Sequence, residues 1–176
     1  MASKRITLGS GKLYVAEYQD VIPADNVIEV DTNLLGYIQG GATLTYTPEF
    51  YTAEDDLGYV AKKIITGEEV ILSSGIMTWN GSTLAKLCST ARVTETDRVR
   101  TVKIGGAANY DHKQYVIHFL HEDAADGDIR ITLVGSNENG FEMAFAKDQE
   151  TVINAEFKAM PCDTDGTLVI YKEDMA

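Results

Sequence analysis

The sequence predicts a mainly β protein, either a β-sandwich or a partly closed β-barrel, with one short α-helix at about residues 82–91. Three observations lead to this prediction. Apolar and polar residues alternate along several runs of strand length, turn residues separate these runs, and a single segment has helical spacing. A chain of 176 residues buries roughly 70% of its open surface on folding, so we expect one domain over residues 1–176 without disulfides.

The composition is strongly acidic. Lys and Arg number 15 against 27 Asp and Glu, a net charge of −12 that disfavours a protein reading DNA sequence. No run approaches the roughly 18 apolar residues of a membrane helix, and the basic start lacks the apolar stretch of a signal peptide, so we expect no membrane partner. Cys88 and Cys162 form no CxxC pair, which is typical of a protein made in a reducing cytoplasm.

The first strands are expected at residues 13–18 and 27–31, with a polar loop between them. Residues 42–47 then alternate Ala, Leu and Tyr with three Thr, which predicts a strand with one buried face. Pro48 has no N–H donor, so it should end this strand or confine it to a sheet edge.

Four further runs alternate over the length of a strand: residues 69–73, 115–120, 129–133 and 150–159. The last run is the clearest, because Phe157 would face the core while Glu156 faces solvent. Residues 163–166 read Asp-Thr-Asp-Gly, which is turn chemistry, and residues 168–171 would follow as a closing strand. We therefore expect the chain to end in a hairpin.

One segment carries apolar residues at helical spacing, namely Leu84, Leu87, Cys88 and Ala91. Asn80 or Ser82 is placed to accept hydrogen bonds from the first free amides. The pattern predicts a short amphipathic helix that covers one sheet.

Residues 48–59 show no sustained period, so we expect a long protruding loop. Either it is an arm that reaches a partner, or it is a flap folded back on its own sheet. The candidate contact residues are Pro48, Glu49, Phe50, Tyr51, Glu54, Asp55, Asp56, Leu57 and Tyr59.

Candidate catalytic and metal-binding residues do not converge. His118 and His121 precede Glu122 and Asp123, but residues three apart on a strand point to opposite faces, so we expect surface or strand-end histidines rather than a zinc site. The acidic run around Gly127 lacks the ligand order of a calcium loop and predicts a charged hairpin tip. No histidine lies near either cysteine in sequence to activate it. We expect no enzyme, no cofactor and no metal.

Two stretches carry a resemblance to a known family. Residues 36–49, Gly-Tyr-Ile-Gln-Gly-Gly-Ala-Thr-Leu-Thr-Tyr-Thr-Pro-Glu, with the acidic aromatic loop after them, resemble the opening strand and loop of the major tail tube proteins of long-tailed, siphovirus-like bacteriophages. Residues 148–159 and the turn at 163–166 resemble the end of those proteins. With the helix after Trp79, the likeness spans most of the chain.

The resemblance implies the phage tail tube fold, which type VI secretion tubes share, and subunits that form hexameric rings stacked into a tube. It implies a virion protein, made in the host bacterial cytoplasm, whose tube conducts DNA during ejection. Its partners would be copies of itself and other tail proteins: the tape measure, the tail terminator and the baseplate or distal tail protein. In that setting a flexible N-terminal arm, residues 1–12, and the loop at 48–59 would reach neighbouring subunits.

An acidic lumen would repel DNA evenly, whereas a basic lumen would bind its phosphates and stall it. The hypothetical lumen-lining residues are Glu69, Ser73, Glu150, Asn154 and Glu156. The alternative function is a small-ligand-binding β-barrel whose cavity would be lined by Trp79, Tyr115, Phe119 and Phe141. The aliphatic inward residues argue against it, because they suffice to fill a small barrel.

Overall fold

A computed structural model describes residues 7–59 and 61–175. The described residues form nine strands: β1 Lys12–Glu17, β2 Leu34–Glu54, β3 Ala61–Ile76, β4 Arg92–Thr96, β5 Val99–Lys103, β6 Tyr115–His121, β7 Ile129–Asn137, β8 Ile153–Met160 and β9 Ile170–Glu173. The helices are α1 Asp25–Ile28 and α2 Gly81–Leu87, with 3-10 turns at Asp31–Asn33 and Ala107–Asn109. The prediction of a mainly β protein is confirmed.

The large sheet has the strand order β6-β1-β2-β3-β8-β7-β9, and β6 also pairs with β7. These six strands, β6-β1-β2-β3-β8-β7, therefore close on themselves, and we call them the strand ring. All of their pairings are antiparallel. Strand β9 lies at the outer edge of β7, and β4 and β5 form a separate two-stranded sheet. Closure leaves most ring strands with a neighbour on each side, which protects their backbone donors and acceptors.

The expected terminal hairpin is wrong, although its turn is present. Asp163 accepts hydrogen bonds from the backbone N–H groups of Asp165 and Thr167, and Gly166 takes a φ of +80°. Strand β8 then offers no free edge, because β3 and β7 occupy its two sides. The chain therefore passes on and pairs β9 with the next stretch of β7, residues 129–132.

Two hydrophobic clusters lie on opposite faces of β1, β6 and β7. The main cluster fills the strand ring and contains the fully buried Phe157. The second cluster contains Ile28. The prediction of a strand at residues 27–31 is wrong, because residues 27–28 end α1 and Asp31 begins a 3-10 turn. The side-chain amide of Asn33 donates to the carbonyl of Ile28 and fixes the end of this short helix. Because α1 covers it, β6 is buried on both faces.

Helix α2 begins as the sequence predicts and ends earlier. The side chain of Asn80 accepts hydrogen bonds from the backbone N–H groups of Ser82 and Thr83. Leu87 enters the main cluster, so the helix covers the ring as expected. The helix ends at Leu87 rather than near residue 91. The side-chain amide of Asn137 donates a hydrogen bond to the Leu87 carbonyl at 2.8 Å, and the backbone of Cys88 is extended.

The hairpin of β4 and β5 is a strand pair that the sequence analysis did not predict. Its two-residue turn consists of Asp97 and Arg98, both at positive φ, +49° and +68°. It rests on the start of α2, where a Cβ atom added to Gly81 would come within 2.7 Å of Arg100. Glycine at position 81 therefore permits this close approach.

Candidate functional site

The β2–β3 hairpin extends far beyond the strand ring. Strand β2 continues through Pro48 to Glu54 and pairs with β3 back to Ala61, so the prediction of a long protruding loop over residues 48–59 is wrong for residues 48–54, which are strand. Pro48 lies where β2 has a neighbour only on one side, which is the edge location that the sequence allowed. We call residues 48–59 and 61–68 the arm.

The arm exposes apolar side chains on both faces. Phe50 pairs with Ile65 on one face and Tyr51 pairs with Ile64 on the other, and all four are between 47% and 58% exposed. At the tip Leu57 and Tyr59 are 73% and 83% exposed.

Few contacts within the chain stabilise the arm. The Tyr46 hydroxyl donates to the Glu68 carboxylate at 2.7 Å, and the Lys63 ammonium lies 4.1 Å from the centre of the Phe50 ring. Both contacts join the two strands of the hairpin to each other rather than to the ring. A two-stranded hairpin is marginally stable alone, and clustered exposed apolar side chains mark interaction sites. The arm is therefore the strongest candidate for a binding surface.

The five predicted lumen-lining residues lie at one polar surface of β3 and β8. Ser73 is directly opposite Glu156, and Asn154 is opposite Gly75, so the predicted residues of β3 and those of β8 share a face. Glu69 lies on the same face of β3, two positions from Ile71, which is opposite Lys158. Glu150 precedes β8 and joins this surface through a hydrogen bond from the side-chain amide of Gln39.

The charges of this polar face are partly compensated. Lys158 forms an ion pair with Glu69 at 2.8 Å, and the Asn139 side-chain amide donates to Glu156 at 2.7 Å. The hydrogen bond from Gln39 lowers the pKa of the Glu150 carboxyl, which keeps it ionised. The surface thus combines fixed carboxylates with hydroxyl and amide groups rather than presenting bare negative charge.

His118 lies in a buried polar network, so the prediction of a surface histidine is wrong. It is 1% exposed, and its Nδ1 lies 2.8 Å from the Thr132 hydroxyl while Nε2 lies 3.0 Å from Glu29. Arg130 donates to the same Glu29 oxygen at 2.7 Å. Sequence alternation places His118 on the face opposite Phe119 but does not reveal that α1 covers this face.

Asp25, Glu29 and His118 bring possible ligand atoms within 4.8 Å of one another. Two permanent cations already occupy this cluster, because Arg130 pairs with Glu29 and Lys172 pairs with Asp25 at 2.7 Å. A metal ion would have to displace both cations or sit beside them. The arrangement fits an ion-pair network that fastens α1 to β7 and β9.

The remaining histidines and cysteines do not join this network. His121 is buried and its Nδ1 lies 2.6 Å from the Ser10 carbonyl, while its Nε2 has no partner among the described residues. His112 is exposed. Neither cysteine forms a disulfide, and burial raises the pKa of the Cys162 thiol, which disfavours the reactive thiolate.

The predicted flexible N-terminal arm, residues 1–12, lies partly outside the described residues, which begin at residue 7. Lys12 already belongs to β1. Gly11 lies against β6, where an added Cβ atom would approach the Leu120 carbonyl to 2.3 Å. The end of this segment is therefore held against the ring rather than free.

The aromatic residues assigned to the alternative ligand cavity lie at the main core. Phe119 belongs to that cluster, and Trp79, Tyr115 and Phe141 pack against it. Trp79 also borders an open surface cavity of about 450 Å³ together with Asp31 and Lys86. Its walls are largely polar, whereas a site for an apolar ligand would have a mainly apolar lining.

Comparisons with known proteins do not assign the chain to a family. No protein-family model matches its sequence, and a search of curated protein sequences finds no match. Within residues 7–59 and 61–175, no helix has the length and apolar character needed to cross a membrane. The arm and the polar face are therefore the features of the molecule that bear on its function.

Proposed function

We propose that this chain is the structural subunit of a bacteriophage tail tube, which self-assembles into hexameric rings that stack around a channel for DNA. It acts through assembly and not through catalysis. Its partners are copies of itself and the tail proteins that begin, measure and end the tube. The proposal builds on the sequence resemblance to major tail tube proteins, and the observation that carries it is the arm.

The arm favours a subunit interface over a flap. A flap would bury Phe50 or Tyr51 against its own sheet, whereas both are about half exposed on opposite faces of the hairpin. From Glu69 towards the arm tip, no other strand of the described chain pairs with β2 or β3, so both edges can accept another chain. An element with two apolar faces and two open edges fits between neighbouring subunits.

The polar face supports the channel. Glu69, Glu150 and Glu156 would repel duplex DNA, which carries about one negative charge per 1.7 Å of axis. At physiological salt the screening length is about 8 Å, so the repulsion acts only close to the wall and leaves the channel centre passable. Lys158 neutralises part of this negative charge through its ion pair with Glu69.

Assembly is the first test. We expect purified full-length protein, concentrated and examined by negative-stain electron microscopy, to form rings of six subunits or stacked tubes. Sedimentation velocity should show a concentration-dependent shift from monomer to large species. A protein that stays monomeric at all concentrations and salt conditions, also when a tail initiator complex is added, would contradict the proposal.

The channel assignment has its own test. In the variant Glu150→Lys with Glu156→Lys, we expect tubes of normal diameter and a phage that delivers its DNA poorly, because the reversed charges attract phosphates. The matched control reverses two exposed acids outside the polar face, the arm and the β4–β5 hairpin, Glu142→Lys with Asp165→Lys. Normal DNA delivery by the first variant would refute the assignment of this face to the lumen and leave the assembly proposal intact.

A further inference from the structure

The β4–β5 hairpin is a basic surface on an acidic protein. Residues 92–103 contain four basic and two acidic residues, whereas the whole chain has a net charge of −12. All of its strand residues except Val102 are exposed. Arg98 and Lys103 form no ion pair or side-chain hydrogen bond with any described residue, although acidic groups abound in this chain. The hairpin therefore presents uncompensated positive charge.

The turn of this hairpin keeps a side chain where glycine is the usual choice. Arg98 has a φ of +68°, in the left-handed region that costs a non-glycine residue roughly 1 kcal/mol. It stands at the extreme tip, next to Val99, which is 61% exposed. A two-residue hairpin turn of this kind requires positive φ at both of its positions, so the turn itself accounts for this conformation and places the Arg98 cation at the tip.

The tip of the arm has the complementary properties. Residues 54–56 are Glu-Asp-Asp, and the exposed Leu57 and Tyr59 follow. Glu54 and Asp56 make no ion pair or side-chain hydrogen bond with any described residue. One tip thus offers negative charge beside apolar surface, and the other offers positive charge beside apolar surface.

Several other acidic residues have partners within the chain. Glu122 pairs with Lys12 at 2.9 Å, and Asp128 pairs with Arg130 at 3.2 Å. On the polar face Glu69 is paired with Lys158. Within the described chain, no hydrogen bond or ion pair joins Glu54 or Asp56 to the β4–β5 hairpin. The charge complementarity is therefore available between copies.

We propose that the arm tip of one copy, residues 54–59, docks on the β4–β5 hairpin, residues 92–103, of a second copy. The carboxylates of Glu54 and Asp56 meet Arg98 at the turn of the hairpin, and the apolar side chains of the two tips cover each other. This contact rests on the proposed self-assembly and names the surface that receives the arm. It is heterologous, because the two surfaces differ, so it propagates from subunit to subunit.

A charge swap tests the contact. We expect Arg98→Glu to raise the concentration needed for assembly about tenfold at 0.05 M salt, since an attraction becomes a repulsion. Asp56→Lys should do the same, and the double variant Asp56→Lys with Arg98→Glu should recover most of the loss. At 0.5 M salt the differences should shrink, because the screening length falls to about 4 Å.

The matched control is Lys147→Glu, which makes the same charge change at an exposed residue outside both tips. It should assemble like the wild type, and circular dichroism should show that every variant is folded. If Arg98→Glu assembles normally, if the double variant recovers nothing, or if Lys147→Glu loses as much, this contact is wrong while the proposed tube stands. A wild-type protein that never assembles overturns both.

Discussion

The same two strands behave differently along their length. In the ring, the side chains of β3 from Val70 to Ile76 alternate between buried and half-buried positions, and β8 pairs beside them. In the arm, residues 61–66 are all exposed, and β3 has β2 as its only neighbour. The β2–β3 pairing runs through both parts, and its register is interrupted twice, between Gln39 and Ala42 and between Glu49 and Phe50.

The difference shows which interactions stabilise each part. Backbone pairing is present in both, so it does not distinguish the ring from the arm. The ring adds apolar burial on its inner face, which is the main favourable term in folding. The arm has apolar residues of the same kinds, but they are exposed within the described chain, so the arm lacks this contribution. Four predictions examine this division, from the largest expected effect to the smallest.

A cavity in the ring should cost most. Phe157 is fully buried in the main cluster, so we expect Phe157→Ala to lower the free energy of unfolding by about 3–5 kcal/mol. Urea denaturation followed by tryptophan fluorescence measures this, because Trp79 packs against the same cluster. A loss below about 1 kcal/mol would mean that the ring interior is not the core.

The equivalent change in the arm should leave folding almost untouched. Phe50→Ala with Ile65→Ala removes a half-exposed pair, and we expect a loss below about 1 kcal/mol in the free energy of unfolding. The same variant should lose assembly in sedimentation velocity, since these side chains are proposed to be buried between subunits. Large destabilisation together with normal assembly would reverse the roles of arm and ring.

Acid should lower the free energy of unfolding of the ring through protonation of His118. Burial lowers the pKa of His118 below the ordinary value of about 6.5, and the hydrogen bond with Glu29 offsets this only in part. The unfolded chain therefore binds this proton more readily than the folded chain. The resulting stability is full above about pH 6.5 and is lost as the pH falls through the lowered pKa of the folded state.

The variant His118→Gln isolates this contribution. Stability curves of the two proteins between pH 7.5 and 5 should converge at the acidic end, because the variant has no such proton to bind. Tests of assembly over the same range should show little difference between them, since His118 lies far from the surface that we assign to the arm. Parallel stability curves would mean that protonation of His118 does not destabilise the fold.

The smallest effect is expected at the β4–β5 turn. Arg98→Gly relieves a left-handed side-chain conformation and should raise the free energy of unfolding by up to about 1 kcal/mol. The variant should nevertheless assemble less well, because the proposed contact loses its arginine. Thermal unfolding and sedimentation velocity on one sample distinguish the two effects. A variant that is both more stable and better assembled would argue against a role for Arg98.

The sequence predicts those strands whose two faces differ in burial. Strand β8 was predicted because Phe157 is buried and Lys158 is exposed, a contrast visible as alternation. The arm gave no such signal, since both of its faces are exposed and Pro48 suggested an end. The β4–β5 hairpin was missed because its turn uses Asp97 and Arg98 in place of a glycine-containing pair.

The candidate site shows the same limit. The polar face was predictable, because residues such as Ser73 and Glu156 alternate with buried neighbours and strand pairing brought them together. His118 alternates in the same way, yet it is buried because α1 covers it. The sequence predicts a strand, not a helix, in this covering segment. Such burial depends on contacts across 89 residues of chain, which local patterns do not contain.

Two residues at the base of β2 determine where the hairpin points. Gly40 and Gly41 both take left-handed φ values, +80° and +78°, and interrupt the register with β3. From there residues 43–54 extend about 40 Å, so a change of 10° at this bend swings the far end by about 7 Å. An added Cβ atom at either glycine would meet nothing within 4 Å, but the left-handed φ values would strain any other residue there. A substitution at either glycine would therefore change the angle at which the hairpin leaves the ring and displace its far end.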